Sequence, residues 1–266
     1  MASSDFGVNG RVSVITGGAR GIGRACAMAL AEAGSHVAIC DLDLTQAEAS
    51  AGEIAAETGV IARGYAFDVS QADAVKAVIE RIATDFGAID HLVNNAGIQH
   101  VAPLAEFPLE RWDRVRAIDL DAVFYVTQAV WPHLVARGRG RIVNIASVHG
   151  LIASPFKPAY TAAKHGVVGL TKASALEGAA HGITVNAICP GVVSTELIRG
   201  QAADLAASFG GISEEEALER AFLDKMPTRR FIDPVEVAAL CAYLCSDLAR
   251  SITGAPIPID GGWSAQ

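Results

Sequence analysis

The chain predicts a single α/β domain, a doubly wound parallel β-sheet with helices on both faces. Three observations lead there. Apolar runs of strand length alternate with longer helical patterns along all 266 residues. Those runs are short, continuous and rich in β-branched residues, as strands covered on both faces should be. No Pro/Ser-rich linker, composition break or internal repeat divides the chain. Strict alternation of strand and helix then favours right-handed crossovers into one sheet.

In order, Arg11–Thr16 (RVSVIT) reads as a strand and Gly21–Ala33 as a helix stopped by Gly34. His36–Asp41 is a second strand and Leu44–Glu57 a second helix. Ile61–Phe67 is a third strand, Gln71–Phe86 a helix and Ile89–Val93 a fourth strand. One long helix is expected over Trp112–Ala136, then a strand at Arg141–Ala146 and a helix near Ala159–Ala180. A strand at Thr184–Ile188, a helix at Pro234–Cys245 and a strand near Ala255–Ile259 complete the pattern. The longest irregular segment, Val192–Ile232, reads as a substrate lid, with Ser213-Glu214-Glu215-Glu216 as a helix start inside it.

Composition narrows the function classes. With 51% hydrophobic and 19% charged residues the chain can bury a sizeable core, which excludes a disordered segment. A net charge of −8 repels a nucleic-acid backbone. The tightest basic group, Arg137, Arg139 and Arg141, lies among glycines and reads as a loop. Mean hydropathy is high at +0.33, but no run reaches the roughly 18–20 apolar residues of a spanning helix. MASSDFGVNGR has no basic region followed by an apolar block, so a cytoplasmic location is expected. The five cysteines are odd in number and form no CxxC; they read as buried core thiols, and no metal is expected.

The first strand runs into Thr16-Gly17-Gly18-Ala19-Arg20-Gly21-Ile22-Gly23 and then a helix. Glycines allow a backbone to approach a pyrophosphate closely, and a helix N-terminus offers free N–H groups and positive potential. Asp41 ends the second strand 18 residues after Gly23, near the roughly 20-residue offset at which an acid meets the adenosine ribose. A carboxylate there accepts hydrogen bonds from the ribose hydroxyls and repels a 2′-phosphate, so NAD is favoured over NADP. Arg20 pulls the other way, because a basic residue in the glycine turn suits that phosphate. The expected fold is therefore Rossmann-like.

The spacing of Gly17, Gly21 and Gly23 resembles the TGxxxGxG of the short-chain dehydrogenase/reductase family, and the resemblance runs through nearly the whole chain. Asn94-Asn95-Ala96-Gly97 is similar to the family's NNAG, Asp68-Val69 to its adenine-contacting pair and Pro190-Gly191 to its turn beside the nicotinamide. The likeness implies nucleotide contacts at Ile22, Asn95, Ala96 and Gly97, and beyond the turn at Val193 and Thr195.

Tyr160 and Lys164 stand four apart in a helical stretch and so share a face. A phenol of pKa about 10 is a poor base at neutral pH, and an adjacent ammonium is expected to lower that value. On these residues alone, a surface Tyr and Lys is the favoured reading. The family's YxxxK after a serine implies instead that Tyr160 is the general acid/base, that Ser147 stabilises the substrate oxygen, and that Lys164 also holds the nicotinamide ribose. One position departs from the pattern. The family carries Asn in the helix after NNAG, where this chain has Asp119. Asp119 either serves through its backbone carbonyl or pairs with Lys164 and weakens the lysine's pull on Tyr160. Equal or better turnover in Asp119→Asn is expected of the second case.

AGIQHVAPL, ASVHGLIASPFKPAYTAAKHGVVGLTK and the ending DGGWSAQ look more narrowly like the bacterial 3-hydroxybutyrate dehydrogenases of that family. That likeness implies a carboxylate-binding cluster at Gln99, His149, Lys157 and Gln201, with Trp263 near the pocket. An ammonium, an imidazole and two amides suit an anion. Val192 stands where that group carries Trp, which implies room for a longer 3-hydroxy acid. Related enzymes form homotetramers through the Trp112 and Ala159 helices, and the same is expected here. A sugar, polyol or other secondary-alcohol dehydrogenase is the alternative, and an NAD(H)-binding sensor without turnover a third reading, against which the Ser147/Tyr160/Lys164 set argues.

Overall fold

The structure, a computed structural model, describes residues 7–195, 198, 206 and 210–265. The strands are β1 (Val12–Thr16), β2 (His36–Asp41), β3 (Ala62–Ala66), β4 (His91–Asn94), β5 (Gly140–Ile145), β6 (Ile183–Pro190) and β7 (Pro256–Ile259). They form one seven-stranded sheet in the order β3-β2-β1-β4-β5-β6-β7, every pair parallel. The expected doubly wound sheet is what the chain forms. β1, β4, β5 and β6 are buried along their whole length, matching their continuous apolar runs, whereas the edge strands β3 and β7 are half exposed.

The helices are α1 (Gly21–Glu32), α2 (Leu44–Thr58), α3 (Ala72–Phe86), α4 (Leu109–Arg116), α5 (Ala122–Arg137), α6 (Pro158–Gly178), α7 (Glu214–Phe222) and α8 (Pro234–Cys245). α1, α2 and α8 bury Leu30, Ile54 and Val237 against one face of the sheet. α3 and α5 bury Ile79, Ile82, Val130 and Leu134 against the other. Ends are set by local chemistry: Asp43 caps α2 by accepting from Gln46 N, and Asp233 with Glu236 forms a capping box on α8. The helix start expected at Ser213 is present, its hydroxyl accepting from Glu216 N.

Two expectations are corrected. The single helix over Trp112–Ala136 begins three residues earlier and is broken into α4 and α5 by a π-helical turn at Ala117–Asp121. A wider turn shifts the phase of the side chains it carries, and here it buries Asp119 completely. Arg137, Arg139 and Arg141 are not a loop cluster. Arg137 ends α5 and donates to Asp90 (2.9 Å), while Arg141 lies in β5 and pairs with Asp247 (3.2 Å), which also holds Arg11. They tie the amino-terminal edge of the sheet to its neighbours.

All five cysteines are free and buried, as core thiols should be. Among the described residues no helix is long and apolar enough to cross a membrane, and no cluster of three or more His, Cys, Asp or Glu could hold a metal.

Candidate active site

The chain leaves β1 and β4 in opposite directions across the sheet, so a crevice opens between their carboxyl ends. Thr16 ends β1 there. Its hydroxyl accepts from Asn95 N (3.0 Å) and Ala96 N (3.2 Å), and the Asn95 amide donates to Thr16 O (3.0 Å) and Gly17 O (2.9 Å). Asn95 thus clamps the glycine loop, a role that spacing alone does not reveal. Gly17 has φ +60°, and a Cβ on Gly23 would lie 2.2 Å from Gly17 O. Only glycines allow this loop to fold back onto the start of α1, leaving the helix N–H groups facing an open cradle.

Asp41, at the end of β2, accepts from Ala19 N (3.2 Å) and Leu42 N (2.8 Å). Its carboxylate is therefore fixed beside the loop with acceptor capacity to spare. Arg20 is exposed at the N-cap of α1. Ile22 lies in the first turn of that helix. Thr195 reaches the loop from the other side, its Cγ2 3.7 Å from where a Gly21 Cβ would be. Asp68 is occupied by Ser70 (2.7 Å) and Arg114 (3.4 Å), with Val69 next to it. Pro190 ends β6, Gly191 N donates to Ile259 O (2.8 Å), and Val193 bridges to Ile232. A glycine cradle at a helix start with an acid on the next strand fits a dinucleotide.

Ser147 follows β5 and caps a short turn, accepting from His149 N at 3.1 Å. Gly150 lets that turn lie against α6, since a Cβ there would stand 2.9 Å from Lys164 O. Tyr160 and Lys164 project together from α6, with the ammonium 5.5 Å from the phenol ring centroid. Lys164 Nζ donates to Ile145 O (3.1 Å) and sits 3.4 Å from Asp119 Oδ2. Asp119 Oδ1 accepts from Ile98 N (2.8 Å), and a Cβ on Gly97 would lie 3.1 Å from Oδ2. Of the two readings of Asp119, the geometry is that of the ion pair.

The electrostatics correct one expectation. Burial pushes the Tyr160 phenol above its ordinary value; Lys164 and Ser147 oppose this, but Asp119 adds to it, and the balance is upward rather than downward. Burial disfavours the Lys164 ammonium, yet Asp119 and Tyr160 more than reverse this and raise its pKa. Burial likewise lifts Asp119 above the usual carboxylate range, against the pull of Lys164.

Of the residues expected around the anion, the structure brings His149 and Trp263 together. The His149 ring packs edge-on against Tyr160 (5.9 Å) and Trp263 (5.4 Å). Its Nδ1 lies 3.3 Å from Ser147 Oγ, and its buried Nε2 has no hydrogen-bond partner among the described residues. Burial, reinforced by Lys157 and Lys225, pushes the imidazole down to about 4, so it is neutral near pH 7. Lys157 precedes α6 and follows Phe156, a non-glycine residue at φ +66°. Gln99 is exposed in the loop after β4, and Gln201 lies outside the described residues. Val192 packs into the core with Leu223 and Met226. Sequence reasoning missed Lys225, whose Nζ lies 5.4 Å from the Trp263 ring centroid; no motif or periodicity marks it.

The comparisons agree with this geometry. The family model described as enoyl-(acyl carrier protein) reductase matches residues 17–264. D-beta-hydroxybutyrate dehydrogenase of Cupriavidus necator is 44% identical over 97% of this chain and 100% of its own length. D-threitol dehydrogenase of Mycolicibacterium smegmatis is 41% identical over 98% of this chain and 95% of its own. The crystal structure of a candidate short-chain alcohol dehydrogenase from Sinorhizobium meliloti 1021 superposes with a TM-score of 0.87 at 36% identity, covering 98% of this chain and 99% of that one. A glycine cradle, a Tyr–Lys pair on one helix face near a serine and these near full-length relatives lead to one conclusion: the chain is an oxidoreductase of the short-chain dehydrogenase/reductase family.

Proposed function

We propose that the chain is an NAD-dependent dehydrogenase that interconverts a small (R)-3-hydroxy acid of the 3-hydroxybutyrate type and its 3-keto acid. The observation that supports this reading is that the His149 ring packs against Tyr160 and Trp263 and lies 3.3 Å from Ser147 Oγ, while Lys157 stands at the N-cap of the helix that carries Tyr160. A site that positions a secondary alcohol thus also offers an ammonium and a neutral imidazole to an anion two carbons away. NAD, when bound, supplies the hydride acceptor or donor. Gly17, Gly21 and Gly23 would hold its pyrophosphate and Asp41 its adenosine ribose. Ser147 Oγ orients the alcohol oxygen, and the Tyr160 hydroxyl takes its proton or returns it. Lys164 favours the phenolate, and His149 steadies the phenol ring edge-on.

Polyol oxidation is the second reading, favoured by the likeness to D-threitol dehydrogenase. NADH formation measured with (R)-3-hydroxybutyrate, (R)-3-hydroxyvalerate, their S enantiomers and a polyol panel separates the two. Turnover of the R acids is expected, with kcat/KM falling about a hundredfold in Lys157→Ala. Turnover of polyols alone discards the hydroxy-acid reading.

The nucleotide preference has its own test. In Asp41→Ala, kcat/KM with NAD is expected to fall about tenfold to a hundredfold through lost charge-assisted hydrogen bonds. Activity with NADP is expected to rise, because the carboxylate no longer repels a 2′-phosphate and Arg20 remains. An unchanged NAD/NADP ratio would rule Asp41 out as the selector.

A further inference from the structure

We propose that Asp119 selects the oxidation state of the nucleotide, its negative charge tilting the bound couple toward NAD⁺, the form that accepts hydride from an alcohol. This rests on the NAD reading above and deepens it.

The two forms of the nucleotide differ at one ring, which carries a positive charge when oxidised and none when reduced. A fixed charge beside that ring binds the two forms unequally, and the more so where water is excluded. The ring must lie beside Tyr160, because the hydride leaves the carbon whose oxygen gives its proton to the phenol. Lys164 stands one turn along the same helix with its side chain 4% exposed. Alone, it would set a buried positive charge against the oxidised ring. Asp119, with 0% exposure, answers that charge from 3.4 Å. Its Oδ1 is fixed by Ile98 N (2.8 Å), and its Oδ2 has no hydrogen-bond partner among the described residues. No second donor therefore spreads the charge that faces Lys164.

The segment Asn95–Gly97 ties this pair to the glycine cradle. Asn95 N and Ala96 N donate to Thr16 Oγ at the head of the loop. A Cβ on Gly97 would lie 3.1 Å from Asp119 Oδ2 and 3.7 Å from Lys164 Nζ. A dinucleotide that reaches from the cradle to Tyr160 follows this segment and so passes the pair. Among the described residues, the other buried side chains of Asp, Glu, Lys or Arg are Arg11, Asp90, Arg141 and Asp260. The first three stand at the amino ends of β1, β4 and β5, the far edge of the sheet. Asp260 follows β7 and is held by Gly262 N (3.0 Å) and Ser264 N (2.8 Å). Its charge is common to the native chain and to an Asp119 variant, so replacing Asp119 by its amide isolates one charge.

The test is calorimetric titration of the nucleotide-free chain at pH 7 with NAD⁺, with NADH and with ADP-ribose, which lacks the nicotinamide ring. The native chain and Asp119→Asn are compared, and both again with Tyr160→Phe, where no phenolate can supply the missing negative charge. The amide keeps the shape of the carboxylate and an oxygen for Ile98 N. In Asp119→Asn the ratio Kd(NAD⁺)/Kd(NADH) is expected to rise about tenfold in both backgrounds, with ADP-ribose affinity within about twofold of native. For a two-electron couple that ratio raises the potential of the bound nucleotide by about 30 mV. A ratio within about twofold of native, with both nucleotides still bound, overturns the role of Asp119 and leaves the NAD reading standing. An equal loss for all three ligands also overturns it, since Asp119 is then only a support for the cradle. Binding of neither NAD⁺ nor NADH by the native chain overturns the NAD reading and this role with it.

Discussion

Tyr160→Phe is expected to lower kcat by about 10²–10⁴ while leaving the fold and nucleotide affinity in place. In the mechanism proposed above, the hydroxyl is the group that exchanges a proton with the substrate oxygen. The ring itself, which packs on His149, is retained in Phe. The pH profile checks the assignment independently. Alcohol oxidation needs the phenolate, and burial with Asp119 holds the Tyr160 pKa above its ordinary value. Oxidation is therefore expected to rise with pH well into the alkaline range, while keto-acid reduction, which needs the phenol, stays level there. Both dependences vanish in the Phe variant. A variant retaining more than about a tenth of native kcat would remove Tyr160 from the chemistry.

Lys164→Met carries the second large effect, on stability as well as activity. It leaves Asp119, with 0% exposure, as a buried carboxylate without its cation. Breaking such a pair from one side costs about 3–5 kcal/mol, or a fall in Tm of roughly 10 °C. The sign of its pH dependence follows from Asp119. Burial already lifts its pKa above the usual range with Lys164 present, and losing the ammonium lifts it further. A carboxyl whose folded pKa exceeds its unfolded value holds its proton in the fold. Its contribution is intact below the ordinary carboxylate range and is lost as pH rises through the raised value. The Tm deficit of Lys164→Met is therefore expected to widen from acid to neutral pH, and Asp119→Asn in the same background to recover much of it. A deficit independent of pH would contradict the pair. Asp119→Asn alone removes a charge that pushes the Tyr160 phenol upward. The rise of oxidation rate is then expected at lower pH, with equal or better turnover at neutrality.

Much of the site was legible because the residues concerned act where the backbone leaves a strand. Thr16–Gly23, Asp41, Asn95, Ser147 and Pro190–Gly191 all sit at or just beyond carboxyl ends of strands. Such positions follow once the strand–helix alternation is read. Tyr160 and Lys164 needed only the helical period to share a face. The boundary errors have equally local causes. The wider turn at Ala117–Asp121 leaves no trace in an apolar pattern, because the residues on either side keep ordinary helical spacing.

What the sequence determined by itself is the doubly wound sheet and the glycine cradle with its acid, while the Ser147/Tyr160/Lys164 set came from the family resemblance. The first two are matters of short-range spacing and of residue type at an element's end. What only the tertiary structure decided is charge: whether Asp119 faces Lys164, whether the phenol's pKa lies above or below its ordinary value, and that the Lys225 ammonium lies beside the Trp263 ring. Electrostatic interaction energies depend on distance through space and on how far each group is removed from water. Neither quantity is encoded in separation along the chain. Asp119 and Lys164 are 45 residues apart in sequence and 3.4 Å apart in the fold, and it is the second number that sets their chemistry.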